Sequence, residues 1–265
     1  MFRILAFHAI LFAAACAAHG ALSIPDLPSA RKAPDPFDGD WLIAAPGAKA
    51  GVYRGENANE IVMTNGLVRR VWRIMPNAAT VAYDNLMTGA SIIRGIKPEA
   101  VVAIDGARYD VGGLDGQPDY AYLKPEWVDG LTARADAFQL AGIEAGKTAE
   151  RFPWKRVRHS ADLPWPPPGA SLTIRYAPPA GKLEGVTVSV HYEMFDGVPL
   201  LAKWISIANG GGKPVQLESF ISEVLAAVET ESSVDVRDQW KYTNIHVETD
   251  FGYGGAEPSA ARRTV

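Results

Sequence analysis

The stretch "VTVSVHYEMFDGVPLLAKWISIANGGGKP", residues 186–214, decides the fold. Val186, Val188, Val190, Tyr192 and Met194 fall on one side of an extended chain, and Thr187, Ser189, His191 and Glu193 on the other. A period of two is the signature of a strand with one buried face. "DGVP" then supplies a turn, and "LLAKWISIAN" makes a second strand. It carries Leu201, Lys203, Ile205 and Ile207 on one side and Leu200, Ala202 and Trp204 on the other, and a core location is the simpler reading for Trp204. "NGGGKP" turns again into "VQLESFISEVLAAVE", whose second half fits either a strand or a helix. Successive alternating strands joined by tight turns predict antiparallel sheets packed face to face.

The same signal runs outward toward the N-terminus. "NEIVMT-NG-LVRRVWRIM" and "EAVVAI-DG-ARYDV" each place two strand-like runs around Asn-Gly or Asp-Gly, the pairs a type I′ turn prefers at positive φ. The 265 residues include 25 Gly and 19 Pro, a turn-rich composition that favours many short strands. No segment reads as a convincing long amphipathic helix. The fold class is therefore all-β: a large antiparallel β-sandwich over residues 51–265, behind an N-terminal signal peptide.

Residues 1–21 read as that signal. One Arg precedes "ILAFHAILFAAACAA", an apolar run of signal length that is short for a membrane span. Export to the periplasm or the extracellular space is expected. Cys16, the one cysteine, lies within the run in a weak lipoprotein-type box, which leaves a lipid anchor open as the single membrane contact. Residues 22–50 are Pro-rich and read as a linker or arm. A formal charge of −4 argues against nucleic acid as a partner, because such binders carry a basic excess.

The chemistry-bearing motifs are few. "AGIEAGKT", residues 141–148, imitates a phosphate loop, but Pro153 follows too soon for the helix such a loop requires, so a β-turn is expected there. No histidine pair has zinc spacing, and no cofactor or metal is expected. Glycoside hydrolysis needs two carboxylates held across a bond. "KPEWVDG" offers Glu126 and Asp129 beside Trp127 in a loop-like segment, with Asp119 shortly before. "RFPWKRVRHSADLPWPPPGASLTIRY", residues 151–176, reads first as a short strand followed by a stiff proline link into the strand "SLTIRY". It also offers sugar chemistry: Trp154 and Trp165 present flat apolar faces, while Arg156, Arg158 and His159 donate hydrogen bonds. Carbohydrate is the expected partner. An epimerase of mutarotase type would need a His and a Glu converging on one face. His191 and Glu193 share one, but among Thr and Ser on a strand that reads half-exposed.

Three stretches carry a resemblance: "YDVGGLDGQPDYAYLKPEWVDGL", "RFPWKRVRHSADLPWPPPGASLTIRY" and "VSVHYEMFDGVPLLAKWISIANGGGKPVQLESFISEVLAAVE". Together they resemble the N-terminal β-sandwich, of galactose-mutarotase-like supersandwich type, of bacterial α-galactosidase-like proteins of glycoside hydrolase family 36. The likeness spans roughly residues 55–250. It implies a sandwich that packs against a catalytic (β/α)₈ barrel and can send a Trp-bearing loop to the rim of the sugar pocket. Residues 119–130 and 151–165 are the candidates for that loop. The family's catalytic Asp pair lies on the barrel, which this sequence does not contain, so no catalytic residue is carried over. The expected function is that of a non-catalytic fragment of an exported hydrolase. The alternative is a free-standing exported carbohydrate-binding or structural sandwich.

Overall fold

The computed structural model describes residues 24–44, 46–118, 122–157 and 162–227. Five strands form the first sheet in sequential order: β1 (Gly51–Arg54), β2 (Glu60–Thr64), β3 (Val68–Arg73), β4 (Ala79–Asn85) and β5 (Ala90–Ser91). After β6 (Ile93–Gly95) come the hairpin strands β7 (Ala100–Ile104) and β8 (Ala107–Val111). Then follow the long strands β9 (Gln139–Lys147), β10 (Gly169–Ala177), β11 (Val186–Phe195) and β12 (Leu201–Asn209), which make a four-stranded sheet in the order β12-β11-β10-β9. Finally β13 (Leu217–Ile221) joins β7, and the two-residue β14 (Ala226–Ala227) joins β6. Every strand pairing is antiparallel.

The alternation in 186–194 becomes the core as expected. Val186, Val188, Val190, Tyr192 and Met194 are fully buried, with Leu172, Ile174 and Tyr176 of β10 beside them. The first sheet answers with Ile61, Met63 and Trp72, and the two layers form one hydrophobic core. Trp72 of β3 meets Tyr192 of β11 edge-on at 4.7 Å between ring centroids, a cross-sheet contact worth about 1 kcal/mol beyond its buried area.

Four sequence expectations are corrected. Asp105-Gly106 makes the two-residue turn foreseen, with φ of 52° and 76°. At Asn65-Gly66 only Gly66 has positive φ, and the connection runs over residues 65–67. Asn65 is a buried anchor instead. Its Oδ1 accepts from the amides of Leu67 and Val68, and its Nδ2 donates to the carbonyls of Phe195 and Val198 across the core. "AGIEAGKT" is the body of strand β9 up to Lys147, not a turn, because its residues pair with β10 in continuous register from Ile143 to Lys147. "FPWKRVR", residues 152–158, forms no strand where it is described, and Trp204 lies on the outer face of β12 rather than in the core. The arm folds back onto the sandwich: Leu27 is buried, and Ser29 makes a parallel bridge to Arg54. The expected signal segment, including Cys16, lies outside the described residues. Among the described residues no helix is long and apolar enough to cross a membrane.

Candidate functional site

Alternation gives each sheet an inner and an outer face, and side chains of chemical interest collect in three places. The first is the outer face of the β1–β5 sheet. Val62 and Val71 floor a groove of about 650 Å³ that is flanked by the N-terminal arm and by the 3-10 turn Pro125–Gly130. Two ion pairs cross its floor: Arg69 to Asp84 at 2.8 Å and Arg73 to Glu60 at 3.0 Å. Arg73 also holds Asp129, which pins the turn to the sheet. Glu126 and Trp127 stand on this turn, with the Lys124 ammonium 5.4 Å from the Trp127 ring centre. Glu126 and Asp129 are therefore neighbours within one short turn, not partners across a cleft. Asp119 lies outside the described residues.

The second place is the outer face of the four-stranded sheet and the loop between β9 and β10. Phe152, Trp154 and Trp165 form one aromatic cluster. Trp165 sits 5.2 Å from Phe152 and 5.4 Å from Trp154 between ring centroids, and its indole N–H donates to the Phe152 carbonyl. Phe152 is 49% exposed and Trp154 40%. Arg156 pairs with Asp162 at 3.6 Å, both of them largely in solvent. Arg151 ties the loop base to the sheet. It contacts the Glu193 carboxylate at 3.3 Å and lies over the Trp204 ring, 4.3 Å from its centre. His191 stacks on Trp204 at 5.0 Å and is bonded through its two ring nitrogens to Thr173 and Ser206, so it is a satisfied, half-buried sheet residue. Burial lowers its pKa; Glu144 opposes this by raising it, while Arg175 adds to the lowering. His191 and Glu193 do share a face, but Glu193 is engaged by Arg151 and the Ala149 amide. His159 lies outside the described residues.

The sequence-predicted residues thus divide. Glu126 and Trp127 border the outer face of one sheet; Trp154, Arg156 and Trp165 belong to the loop over the outer face of the other. The core lies between them.

The third place is inside the sandwich, and the sequence reading missed it. Arg70 of β3 faces inward between Val68 and Trp72, and Lys203 of β12 faces inward between Leu201 and Ile205. Glu99, one residue before β7, and Glu223, in the segment between β13 and β14, complete a quartet. Arg70 donates to Thr80 Oγ1 at 2.9 Å, to Glu99 at 3.3 Å and to Glu223 at 2.7 Å. Lys203 reaches Glu223 at 2.7 Å and the Glu99 backbone carbonyl. Glu99 also accepts from the Thr80 amide at 2.6 Å, from the Trp72 indole at 3.3 Å and from the Tyr192 hydroxyl. Burial pushes the Glu99 carboxyl up, but Lys203, Arg70 and the hydroxyl and amide donors outweigh it and hold it at about 2. Burial draws Lys203 down against the pull of both carboxylates. Arg70 is raised: burial disfavours its charge, and the surrounding negative groups prevail. Tyr176 lies nearby with a buried hydroxyl that has no bonding partner among the described residues. The signal was in the sequence: a Lys and an Arg at inward positions of otherwise apolar strand faces.

Among the described residues no group of three His, Cys, Asp or Glu side chains gathers to hold a metal ion. No known family, curated protein or solved structure matches this chain.

Proposed function

We propose that this chain is the non-catalytic β-sandwich of an exported α-galactosidase-like glycoside hydrolase, and that its β9–β10 loop meets sugar. The observation that carries the sugar contact is the Phe152–Trp165–Trp154 cluster. Two aromatic rings packed on a third and left partly in solvent on one loop are an apolar patch of the kind that marks a binding surface. Indole rings suit the C–H face of a pyranose, and Arg156 beside them supplies donors for hydroxyls. The bond from Trp165 to the Phe152 carbonyl holds the platform in place before ligand arrives, which lowers the entropic cost of binding. The non-catalytic part is supported by Asp129, which is taken up by Arg73, and by its position on the same turn as Glu126. The family assignment rests on the sequence resemblance alone.

A free-standing exported carbohydrate-binding sandwich is the second reading, favoured by the fact that the aromatic cluster is built from this chain's own residues. Both readings require binding. Titration with methyl α-galactoside and with a panel of oligosaccharides, followed by calorimetry, is expected to give saturable binding that Trp154→Ala and Trp165→Ala each weaken at least about tenfold. Binding unchanged in both variants, or no binding to any sugar, would overturn the sugar contact. Release of nitrophenol from p-nitrophenyl α-galactoside by the chain itself would overturn the non-catalytic assignment.

A further inference from the structure

The interior quartet is not symmetrical, and the asymmetry points to a ligand. The Arg70 and Glu99 side chains are each 1% exposed and Lys203 is 7% exposed, whereas that of Glu223 is 32% exposed. Glu99 is fixed from several sides: Thr80, Trp72 and Tyr192 all donate to it. Glu223 receives its described bonds from the two cations alone, bidentate from Arg70 at 2.7 and 3.3 Å and single from Lys203 at 2.7 Å. It stands in residues 222–225, which belong to no strand. The strands on either side are weakly seated. β13 is exposed along its whole length, β14 has two residues, and both pairings carry a register shift. Among the described backbone bonds outside strands, none involves residues 222–225.

We propose that Arg70 and Lys203 form a carboxylate-binding site which Glu223 occupies from within the chain, and that the carboxylate of a hexuronate sugar exchanges with it. Charge balance makes the exchange feasible. Two cations with Glu99 alone would leave a net positive charge buried, a strongly disfavoured state. One external carboxylate in place of Glu223 restores neutrality and satisfies the same three donors. The bidentate fork of Arg70 suits a carboxylate in particular. The half-buried Tyr83 ring lies 5.4 Å from the Arg70 guanidinium and packs beside the site. The sugar half of the ligand rests on the carbohydrate reading above; the carboxylate half rests on Arg70 and Lys203.

The test is a titration of the intact chain with sodium galacturonate, with galactose and with sodium chloride as separate arms at constant ionic strength. The Trp72 indole N–H resonance is the reporter, since that group donates to Glu99. Wild type is expected to show a saturable shift with galacturonate only. Glu223→Gln removes the internal competitor and is expected to tighten galacturonate binding at least about tenfold, because a site free of its occupant no longer loses affinity to it. Trp154→Ala/Trp165→Ala is expected to leave the galacturonate shift intact. No saturable shift in wild type would overturn the proposal, and this arm stands even if Glu223→Gln fails to fold. Binding seen only in Glu223→Gln would mean that an added anion repairs a broken ion pair, and would overturn exchange as well. A shift lost in the double tryptophan variant would assign the ligand to the loop and likewise overturn it.

Discussion

Glu99→Gln is the sharpest perturbation of this fold. The substitution keeps the shape and removes one negative charge from between Arg70 and Lys203. In the native chain the carboxyl sits at about 2 against an ordinary value of 4.5. A group whose folded pKa is depressed stabilises the fold above its unfolded pKa, and that stability is lost as pH falls through the folded value. Wild type therefore loses the Glu99 contribution progressively from about pH 4.5 down to about pH 2. The interval between those two values corresponds to about 3 kcal/mol. Glu99→Gln should lower stability by about that amount at pH 7, within the range for removing one partner of a buried pair. It should also remove the matching part of the acid dependence. Urea unfolding followed by tryptophan fluorescence at pH 7, 5, 4 and 3 reads both, and the difference between the two proteins should shrink as pH falls. A difference that stays constant from pH 7 to pH 3 would refute the assignment of a depressed pKa to Glu99.

Three further outcomes test the scaffold. Asn65→Ala removes two acceptances that brace the β2–β3 connection and two donations that tie it to the chain around the end of β11, and should cost about 3 kcal/mol in urea unfolding at pH 7. Gly112→Ala should lower the thermal midpoint by at least about 5 °C in a circular-dichroism melt, because Gly112 has φ of +65° and an added Cβ would lie 2.8 Å from the Tyr176 ring and against the Ala78 carbonyl. Val102 and Phe220 are cross-strand partners with opposite burial, 0% and 58% exposed. Val102→Ala should cost about 2 kcal/mol and Phe220→Ser less than about 0.5 kcal/mol, while Phe220→Ser should reduce self-association in sedimentation; equal costs would mean that Phe220 is covered in solution.

Much of the fold was legible because period two is a direct consequence of strand geometry. Residues 186–194 could be divided into faces by inspection; burial follows the division from Val186 to Tyr192, whereas Glu193, on the outer face, is buried against Arg151. The β9 strand was hidden because Gly, Ala, Glu and Lys in "AGIEAGKT" give no apolar alternation. Its outer positions carry Gly142, Glu144 and Gly146, and only its pairing with β10 makes it a strand. The Asn65 turn misled for another reason. Asn-Gly is equally suited to a I′ turn and to a side chain that bonds its own backbone, and long-range bonds to Phe195 and Val198 decide between them. The aromatic loop was visible as composition, but the packing of Phe152 and Trp154 on Trp165 was not. The quartet could be half read. Lys203 and Arg70 stand out at inward positions, whereas Glu99 and Glu223 lie outside regular alternation and are recruited by the fold.

The distribution of charge follows from the same geometry. Exposed pairs such as Arg134 with Asp136 and Arg156 with Asp162 contribute little, because water screens them and their long side chains lose freedom on pairing. The quartet is different, since none of its cations reaches water freely and each carboxylate is fixed by more than one donor. Stability toward acid is thereby concentrated in Glu99 and its partners between the sheets. The sugar contact proposed for Trp154 and Trp165 lies outside the core, on a loop whose described links to the sheet include Arg151 and the Thr148 hydroxyl. Binding at the loop and ionisation in the core therefore separate physically. Arg151 links the loop base to Glu193 on the outer face of the sheet and not to the quartet, so a variant of one is expected to leave the other intact.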